Sequence, residues 1–328
     1  MKPEKENKYS IVPFDSNSLV HAKNAIAITN RLLHEQAEIF FKQGKTKYEK
    51  HDYKDAIKDY CKAIDLNPNN AIYYNTRGFA KWALMNYNDA IEDYNKAIEL
   101  NQKYTSAFTN RGQAKHDLSD YDGAIQDYTK AIEINPMFHG AYISRGLSKR
   151  SLDEYCSALE DFNKAIELNQ NTVLYYNLRG DTKFDLNDYN GAIEDYNKTI
   201  EIDSNFSYAY YARGKAKLEV NNFTGAIEDL NKAIELSNNA IYYNTRGAAK
   251  HKLRNYSGAL EDYDIAIKKH PNTAIYYKNR GVTKNILNDY SGAIEDFSKA
   301  IELNPRYVSG DYNLKEEIRR ISKKLNIL

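Results

Sequence analysis

Apolar and polar residues follow one another along the chain in blocks with helical spacing. Alanine, aromatic and aliphatic residues recur at intervals of three and four, as in AIEDYNKAIEL at 90–100. Such runs predict amphipathic helices. Short stretches rich in Asn, Asp, Gly and Pro separate the runs, and these residue types are typical of turns. The pattern therefore predicts pairs of helices joined by tight turns.

The blocks form a repeat of 34 residues. The string YNTRG occurs at 74–78 and again at 243–247, and equivalent glycines recur along the whole chain. The glycines are spaced by 34 residues, except for one step of 33, and they are Gly44, Gly78, Gly112, Gly146, Gly180, Gly214, Gly247 and Gly281. Eight units result, at 37–70, 71–104, 105–138, 139–172, 173–206, 207–239, 240–273 and 274–307.

Several positions, numbered from 1 within each unit, hold nearly the same residue in every unit. Position 8 is glycine, position 20 is alanine, position 4 is aromatic, and position 24 is Tyr or Phe except for Leu230. Small residues at positions 8 and 20 predict a close approach of two helix backbones, because a larger side chain would push the hairpin apart. Asp, Asn or Glu at position 16 predicts a cap for the second helix.

This spacing and residue set resemble the tetratricopeptide repeat family. The resemblance covers residues 37–307 and is specific, because eight nearly gapless units share the glycine and alanine positions. It implies an all-α fold, a right-handed α-solenoid of eight tandem helix–turn–helix repeats with terminal capping helices. It also implies a concave groove lined by the first helix of each unit, and a role in holding proteins together.

The segments outside the eight units are expected to cover the ends of the solenoid, whose apolar faces would otherwise be exposed. Apolar residues at helical spacing predict an N-terminal capping helix over 18–36 and a C-terminal capping helix over 308–328. A partner-binding or dimerising arm is the alternative for the N-terminal helix. Residues 1–17 are predicted to form a disordered tail.

Two positions depart from the family pattern by carrying cations, and an aspartate at a third position is the candidate partner. Position 7 is arginine in seven of the eight units, position 11 is lysine in all of them, and position 23 is aspartate in all of them. Positions 7 and 11 are four residues apart and therefore share one face of a helix. We predict a ladder of ion pairs in which each aspartate meets the Arg or Lys of its own or the next unit. The functional alternative is a basic track for an acidic peptide.

A partner-binding surface is predicted at positions 2, 5, 9, 12 and 13 of the first helices, which face the groove in the family. These positions vary between units, as a surface that meets different parts of one ligand requires. The predicted residues are Tyr48, Asn75, Phe79, Trp82, Gln113, His116, Leu147, Arg150, Asn177, Asp181, Phe184, Tyr211, Lys215, Asn244 and His251. Phe79 and Trp82 indicate an aromatic peptide pocket, with packing between helices as the alternative reading. An extended peptide or a partner helix would fit such a groove.

Composition and charge argue against several other functions. The chain of 328 residues has 46 basic and 45 acidic residues, a net charge of +1, and so lacks the basic excess typical of nucleic-acid binding. Its two cysteines form neither a disulfide framework nor a zinc motif, which indicates reduced thiols in a cytoplasmic protein. No apolar run reaches the length of a membrane span, and the first residues do not resemble a signal peptide.

Signs of catalysis are also weak in the sequence. The seven histidines do not cluster, and phosphate-binding glycine loops are absent. The segments outside the repeats are expected to be too short for a catalytic domain. We therefore predict a cytoplasmic scaffold or adaptor that binds another protein and is not an enzyme. It needs no cofactor or metal and has no nucleic-acid, membrane or small-molecule partner. The alternative is a structural spacer or self-assembling rod with no groove ligand.

Overall fold

The structure, a computed structural model, describes residues 16–308 and 313–325. All the regular secondary structure in these two ranges is helical. The helices are α1 Ser16–Glu49, α2 Tyr53–Leu66, α3 Ala71–Ala83, α4 Tyr87–Leu100, α5 Thr105–Asp117, α6 Tyr121–Ile134, α7 His139–Ser151, α8 Tyr155–Leu168, α9 Val173–Asp185, α10 Tyr189–Ile202, α11 Ser207–Glu219, α12 Phe223–Leu236, α13 Ala240–Lys252, α14 Tyr256–Lys269, α15 Ala274–Ile286, α16 Tyr290–Leu303, the 3-10 turn Pro305–Val308, and α17 Leu314–Lys324.

The chain forms two compact units, Met1–Ser148 and Lys149–Leu328. In the first unit α1 pairs with α2, α3 with α4 and α5 with α6, and each later hairpin packs against the one before it. In the second unit α9 to α16 form four hairpins that pack in the same order. The predicted all-α fold of tandem helical hairpins is therefore confirmed.

The hairpins close tightly because their contact positions are small on one side and aromatic on the other. The alanines at position 20 are all fully buried, as are most of the aromatic side chains at position 24. A Cβ atom on Gly78 would lie 2.8 Å from Cε1 of Tyr94 and 3.1 Å from the carbonyl oxygen of Ala90. Glycine at position 8 thus leaves just enough room for the ring at position 24, as the sequence predicted.

A buried carboxylate ties the two helices of each hairpin together. The aspartates at position 23 are only 1–4% exposed. In the third hairpin, Nε and Nη2 of Arg111 donate to the two carboxylate oxygens of Asp127 at 2.9 and 2.5 Å, and Nζ of Lys115 lies 2.8 Å from Oδ2. The same Arg–Asp–Lys arrangement recurs at Asp93, Asp195, Asp229, Asp262 and Asp296. The predicted ladder is confirmed, and these ion pairs lie within single hairpins.

The same arginine also reaches the preceding hairpin. Nη1 of Arg111 donates to Oδ1 of Asn95 at 2.6 Å, and its guanidinium carbon lies 5.5 Å from the centre of the Phe108 ring. Equivalent contacts join Arg179 to Asn163, Arg213 to Asn197 and Arg246 to Asn231. The cations at positions 7 and 11 are therefore engaged inside the repeat, which favours the structural interpretation over a basic track.

The turn inside each hairpin holds one residue in the left-handed region, where a side chain is normally disfavoured. The residues at this position, all with φ between 60° and 64°, are His51, Met85, Ser119, Asp153, Asn187, Asn221, Arg254 and Asn288. Asparagine tolerates this conformation best among the residues present. Met85 is the least suited of them chemically, and its side chain is 75% exposed, so no packing holds it there.

We expect Met85→Asn to stabilise the protein. The change relieves part of the left-handed strain, which costs an ordinary residue roughly 1–2 kcal/mol, so a gain of about 0.5–1 kcal/mol is expected. Urea unfolding followed by circular dichroism measures it. The reverse change at the equivalent turn, Asn187→Met, should lower the midpoint by a similar amount. Identical midpoints for both variants and the wild type would contradict the strain argument.

The N-terminal end differs from the prediction. A single helix, α1, runs through Ser16–Glu49, so the segment predicted as a separate cap over 18–36 continues directly into the first repeat. Every residue from 19 to 36 is exposed, including Leu19, Ile26 and Leu33. The segment has no glycine or proline that would break the helix and fold it back. Of the tail predicted over 1–17, residues 1–15 lie outside the described ranges, and residues 16 and 17 are helical.

At the C-terminal end, α17 packs against the last hairpin. Leu314 and Ile321 are 2% and 1% exposed and cluster with Phe297 of α16. Asn313 caps the helix by accepting a hydrogen bond from the backbone N–H of Glu316. The cap predicted over 308–328 corresponds to this shorter helix, and residues 309–312 and 326–328 lie outside the described ranges.

Candidate functional site

The predicted partner-binding residues all lie on the first helices of the hairpins: α1, α3, α5, α7, α9, α11 and α13. Two groups of them are brought together. Tyr48, Phe79 and Trp82 form what we call the aromatic cluster, in the first compact unit. Arg150, Asp181, Phe184, Tyr211 and Lys215 line what we call the polar pocket, in the second unit.

The aromatic cluster is a continuous stack of rings. The ring of Phe79 stacks on Tyr48 at a centroid distance of 5.6 Å and on Trp82 at 5.5 Å, with an interplanar angle of only 4° in the second pair. Phe79 is 38% exposed, whereas Tyr48 and Trp82 are half-buried. The cluster therefore presents a partly exposed aromatic side chain, Phe79, that contacts two neighbouring rings.

Hydrogen bonds fix the orientation of the tryptophan. Nε1 of Trp82 donates to Oδ2 of Asp117 at 2.6 Å, and Nε2 of Gln113 donates to Oδ1 of the same carboxylate at 2.9 Å. The side chain of Trp82 also packs against the buried cluster of Ala90, Tyr94 and Ala114. Gln113 thus belongs to the surroundings of the aromatic cluster as a positioning residue.

Four of the predicted residues, Asn75, Asn177, Tyr211 and Asn244, are no more than 9% exposed. Asn75 and Asn244 accept hydrogen bonds at 3.0 Å from the side-chain amides of Asn110 and Asn279 in the following hairpins. Asn177 is 5% exposed, and Tyr211 stacks on Tyr242 at 4.9 Å. Sequence spacing placed these side chains on the correct helices, but it did not reveal how far the next hairpin covers them.

The two predicted histidines join neighbouring hairpins. Nδ1 of His116 lies 2.9 Å from Oγ of Ser148, and Nδ1 of His251 lies 2.8 Å from Oγ1 of Thr283. Burial lowers the pKa of His251, so the imidazole is neutral at neutral pH. Their role in the structure is packing between repeats. Leu147 is half-buried on α7.

The polar pocket is a cavity of about 140 Å³ with a carboxylate in its wall. Asp181 accepts hydrogen bonds from the hydroxyl groups of Tyr196 at 2.8 Å and Tyr208 at 3.3 Å. It also accepts one from Nδ2 of Asn177 at 3.2 Å. Burial raises the pKa of Asp181, because desolvation disfavours its charged form.

Two cations stand at the edges of the polar pocket in different surroundings. Nε and Nη2 of Arg150 both donate to Oδ2 of Asp185, at 3.1 and 2.7 Å, so this charge is neutralised. Nζ of Lys215 instead lies over aromatic rings, 4.6 Å from the centroid of Phe184 and 5.8 Å from that of Tyr211. Aromatic faces attract cations in this way.

Sequence reasoning missed three acidic or hydroxyl groups of these sites. Asp117 and Asp185 occupy position 13, which the family resemblance predicts to face the groove, so their charge was a usable signal. Tyr196 occupies position 24, which is aromatic in nearly every unit and therefore carries no local signal. Only the hydrogen bond of its hydroxyl group to Asp181 distinguishes Tyr196 from the other aromatic residues at position 24.

Comparison with known families accounts for most of the chain. Sequence models described as "TPR repeat" match residues 44–84, 86–119 and 180–221. Models described as "Tetratricopeptide repeat" match residues 105–138 and 274–307, and also 139–172 and 207–239. The chain belongs to the tetratricopeptide repeat family. Repeats of this family are typically non-catalytic scaffolds that mediate interactions between proteins.

One curated protein matches over a short stretch. DnaJ homolog subfamily C member 7 from Mus musculus is 52% identical over 42 residues, which is 13% of this chain and 8% of that protein. The matched length is little more than a single repeat. It therefore supports the repeat assignment and extends no further into the relative.

Solved structures of low sequence identity share the fold. A tetratricopeptide repeat protein from Parabacteroides merdae ATCC 43184 matches 76% of this chain and 99% of its own at 20% identity, with a TM-score of 0.57. The APC/C hetero-tetramer Cut9–Hcn1 matches 82% of this chain and 52% of its own at 16% identity, with a TM-score of 0.59. YrrB, described as a TPR protein with an unusual peptide-binding site, matches 60% of this chain and 97% of its own at 22% identity, with a TM-score of 0.50.

Membrane-spanning helices and metal sites can also be assessed in the part of the chain that the structure describes. None of the helices there is both long and apolar enough to span a bilayer. Within the same part of the chain, no group of three or more His, Cys, Asp or Glu side chains is arranged to hold a metal ion.

Proposed function

We propose that this protein is a scaffold that holds a peptide or helix of a partner protein against the first helices of its repeats. The observation that carries the proposal is the aromatic cluster, in which Phe79 is 38% exposed between two stacked rings. Large exposed aromatic side chains are common anchors of protein interfaces. YrrB, which shares the fold, is described as having a peptide-binding site.

The aromatic cluster is well prepared for binding. The carboxylate of Asp117 holds Trp82, and Trp82 and Tyr48 hold Phe79, so little side-chain freedom remains to be lost when a partner docks. A partner that covers Phe79 would also remove apolar surface from water, which is the main favourable contribution to such contacts. An apolar or aromatic side chain of the partner fits this surface best.

We also propose that the protein acts in the cytoplasm and catalyses no reaction. Cys61 and Cys156 are free thiols, as expected of a protein in the reducing cytoplasm. The near-neutral charge gives no support to nucleic-acid binding. We assign the protein no catalytic reaction, no cofactor and no small-molecule substrate.

A structural spacer or self-assembling rod is the second candidate. Its support is the exposed stretch of α1, where Leu19, Ile26 and Leu33 face solvent. A rod needs no ligand on the first helices, so it predicts that changes in the aromatic cluster have no effect on partners. It also predicts that sedimentation behaviour depends on protein concentration.

We expect the double variant Phe79→Ala, Trp82→Ala to lose its main protein partner. Truncating each central anchor typically costs about 2 kcal/mol or more, which is more than about tenfold in affinity. Affinity capture with identification by mass spectrometry names the partner of the wild type. Titration of that purified partner against both proteins then measures the loss.

Two controls accompany this test. Phe79→Ala alone removes only an exposed ring, so it should remain folded and still weaken binding. Leu118→Ala removes an apolar side chain of similar exposure, 43%, at the end of α5 and should bind normally. Unchanged capture by the double variant would refute groove binding and favour the spacer.

A further inference from the structure

Asp181 differs from the buried aspartates at position 23. The position-23 aspartates have a cation within ion-pair distance, such as Lys183 at 3.0 Å from Asp195 in the same hairpin. Among the described residues, Asp181 has no such cation. Its partners are two tyrosine hydroxyls and an amide, all of them neutral. Asp181 is half-buried and lacks the direct ion pair that compensates the position-23 carboxylates.

The polar groups around Asp181 include acceptor atoms that receive no hydrogen bond. Asn177 is 5% exposed, and its Oδ1 atom is buried without a hydrogen-bond partner, although buried polar atoms are nearly always paired. The hydroxyl protons of Tyr196 and Tyr208 are both directed to Asp181, so their oxygen atoms can only accept further bonds. This side of the polar pocket is therefore suited to a group that donates several hydrogen bonds.

The aromatic walls of the pocket are suited to positive charge. Phe184 and Tyr211 already hold the ammonium group of Lys215 over their rings. Lys215 makes no ion pair among the described residues, so rings rather than a carboxylate hold it. Arg150 adds little net charge, because Asp185 neutralises it at 2.7 Å.

We propose that the polar pocket binds a basic side chain, lysine or arginine, of the segment that lies along the first helices, with Asp181 as its counter-ion. The inference rests on the proposed function. An ammonium or guanidinium group has several donors, and the carboxylate of Asp181 and the hydroxyl oxygens of Tyr196 and Tyr208 can accept from them. The cavity of about 140 Å³ suits the end of a side chain. It is smaller than the about 300–1,000 Å³ of typical small-molecule sites.

The effect of replacing Lys215 distinguishes a basic ligand side chain from an acidic one. If the pocket instead bound an acidic side chain, Lys215 would be the cation that holds it, and Lys215→Met would abolish binding. If the pocket binds a basic side chain, Lys215 only repels the ligand, and the same change strengthens binding. The carboxylate of Asp181, which has no ion pair among the described residues, and the accepting hydroxyl oxygens of Tyr196 and Tyr208 favour the basic ligand.

Selection of a random dodecapeptide phage library on the full chain tests the proposal. We expect enriched peptides to share a lysine or arginine whose replacement by alanine weakens binding at least tenfold, measured by fluorescence polarisation. Asp181→Asn should weaken the basic peptide by a similar factor and leave the alanine-substituted peptide unchanged. Lys215→Met should bind the basic peptide several-fold more tightly than the wild type does.

A matched control separates the pocket from overall charge. Glu219→Gln removes the same charge from an exposed residue on α11 and should bind the basic peptide like the wild type. Asparagine at position 181 can still accept from Tyr196, and its amide can donate to Oδ1 of Asn177 once the Asn177 amide turns over, so the thermal midpoint should change little. A folded Asp181→Asn variant with unchanged affinity would overturn the proposal.

Two other outcomes show whether only the basic pocket is wrong or whether the proposed function is wrong as well. Enriched peptides without a basic residue, or a loss of binding in Lys215→Met, would overturn the basic pocket and leave the proposed function standing. Failure to enrich any peptide would overturn binding along the first helices itself, and this inference with it.

Discussion

Asp127→Ala is expected to lower the free energy of unfolding by about 3–5 kcal/mol, because it leaves two half-buried cations without their shared counter-ion. Asp127 is 3% exposed and receives hydrogen bonds from Nε and Nη2 of Arg111 and an ion pair from Lys115. The loss comes mainly from stranding Arg111 and Lys115 and much less from the net value of the ion pair. Chemical unfolding followed by circular dichroism measures it.

A neighbouring surface pair provides the control for this prediction. Lys130 and Glu133 lie on the same helix at 2.6 Å, but both side chains are more than half exposed. Glu133→Ala should therefore cost no more than about 1 kcal/mol. Combining Asp127→Ala with Arg111→Met should cost much less than the sum of the single changes, since the double variant no longer buries an unpaired guanidinium. Additive costs would show that the pair is not coupled.

Gly44→Ala is expected to destabilise the first hairpin by about 2 kcal/mol, because the new methyl group has no room. Its Cβ would lie 2.5 Å from Cε1 of Tyr60 and 3.2 Å from the carbonyl oxygen of Ala56. The ring is fully buried, so it cannot swing away, and the carbonyl belongs to the backbone of α2. The steric cost exceeds the about 1 kcal/mol that alanine gains over glycine in helix propensity.

The other glycines give a graded test of that explanation. At Gly214 the facing residue is Leu230, whose Cγ would lie 3.0 Å from the new Cβ, so Gly214→Ala should cost less. At Gly140 the nearest atoms are 3.4 Å away, so Gly140→Ala should be neutral or stabilising by up to about 1 kcal/mol. Thermal unfolding of the three variants should follow this order. Equal losses at all three positions would contradict the steric account.

Repetition made the hairpins predictable from the sequence. A residue such as Ala124 carries little information alone, but eight alanines at the same position require a common packing reason. The same logic predicted that Asp127 meets the Arg or Lys of its own or the next unit, and its partners belong to its own unit. Local spacing was enough here because both members of each ion pair belong to one hairpin.

The ends and the binding residues were less predictable because they occur once. Helical periodicity placed a helix at 18–36, but nothing in it specified whether α1 bends back onto the repeats or continues straight. Variation between units marked both Phe79 and Asn75 as candidates, yet one is 38% exposed and the other 9%. That difference depends on Asn110, a residue of the next hairpin, which spacing within a unit does not reveal.

The charge ladder also bears on how the gene for such a protein changes. Each Arg–Asp–Lys set lies inside one hairpin. The remaining arginine hydrogen bond goes to the preceding hairpin, where the acceptor is Asn95, Thr129 or Cys61. Stretches 71–78 and 240–247 both read AIYYNTRG, so repeats at different places in the chain can share the same first-helix sequence. In-frame gain or loss of one repeat would then preserve the ion pairs within each hairpin while changing the order of the variable residues on the first helices. New binding specificities could arise by recombination before any point mutation.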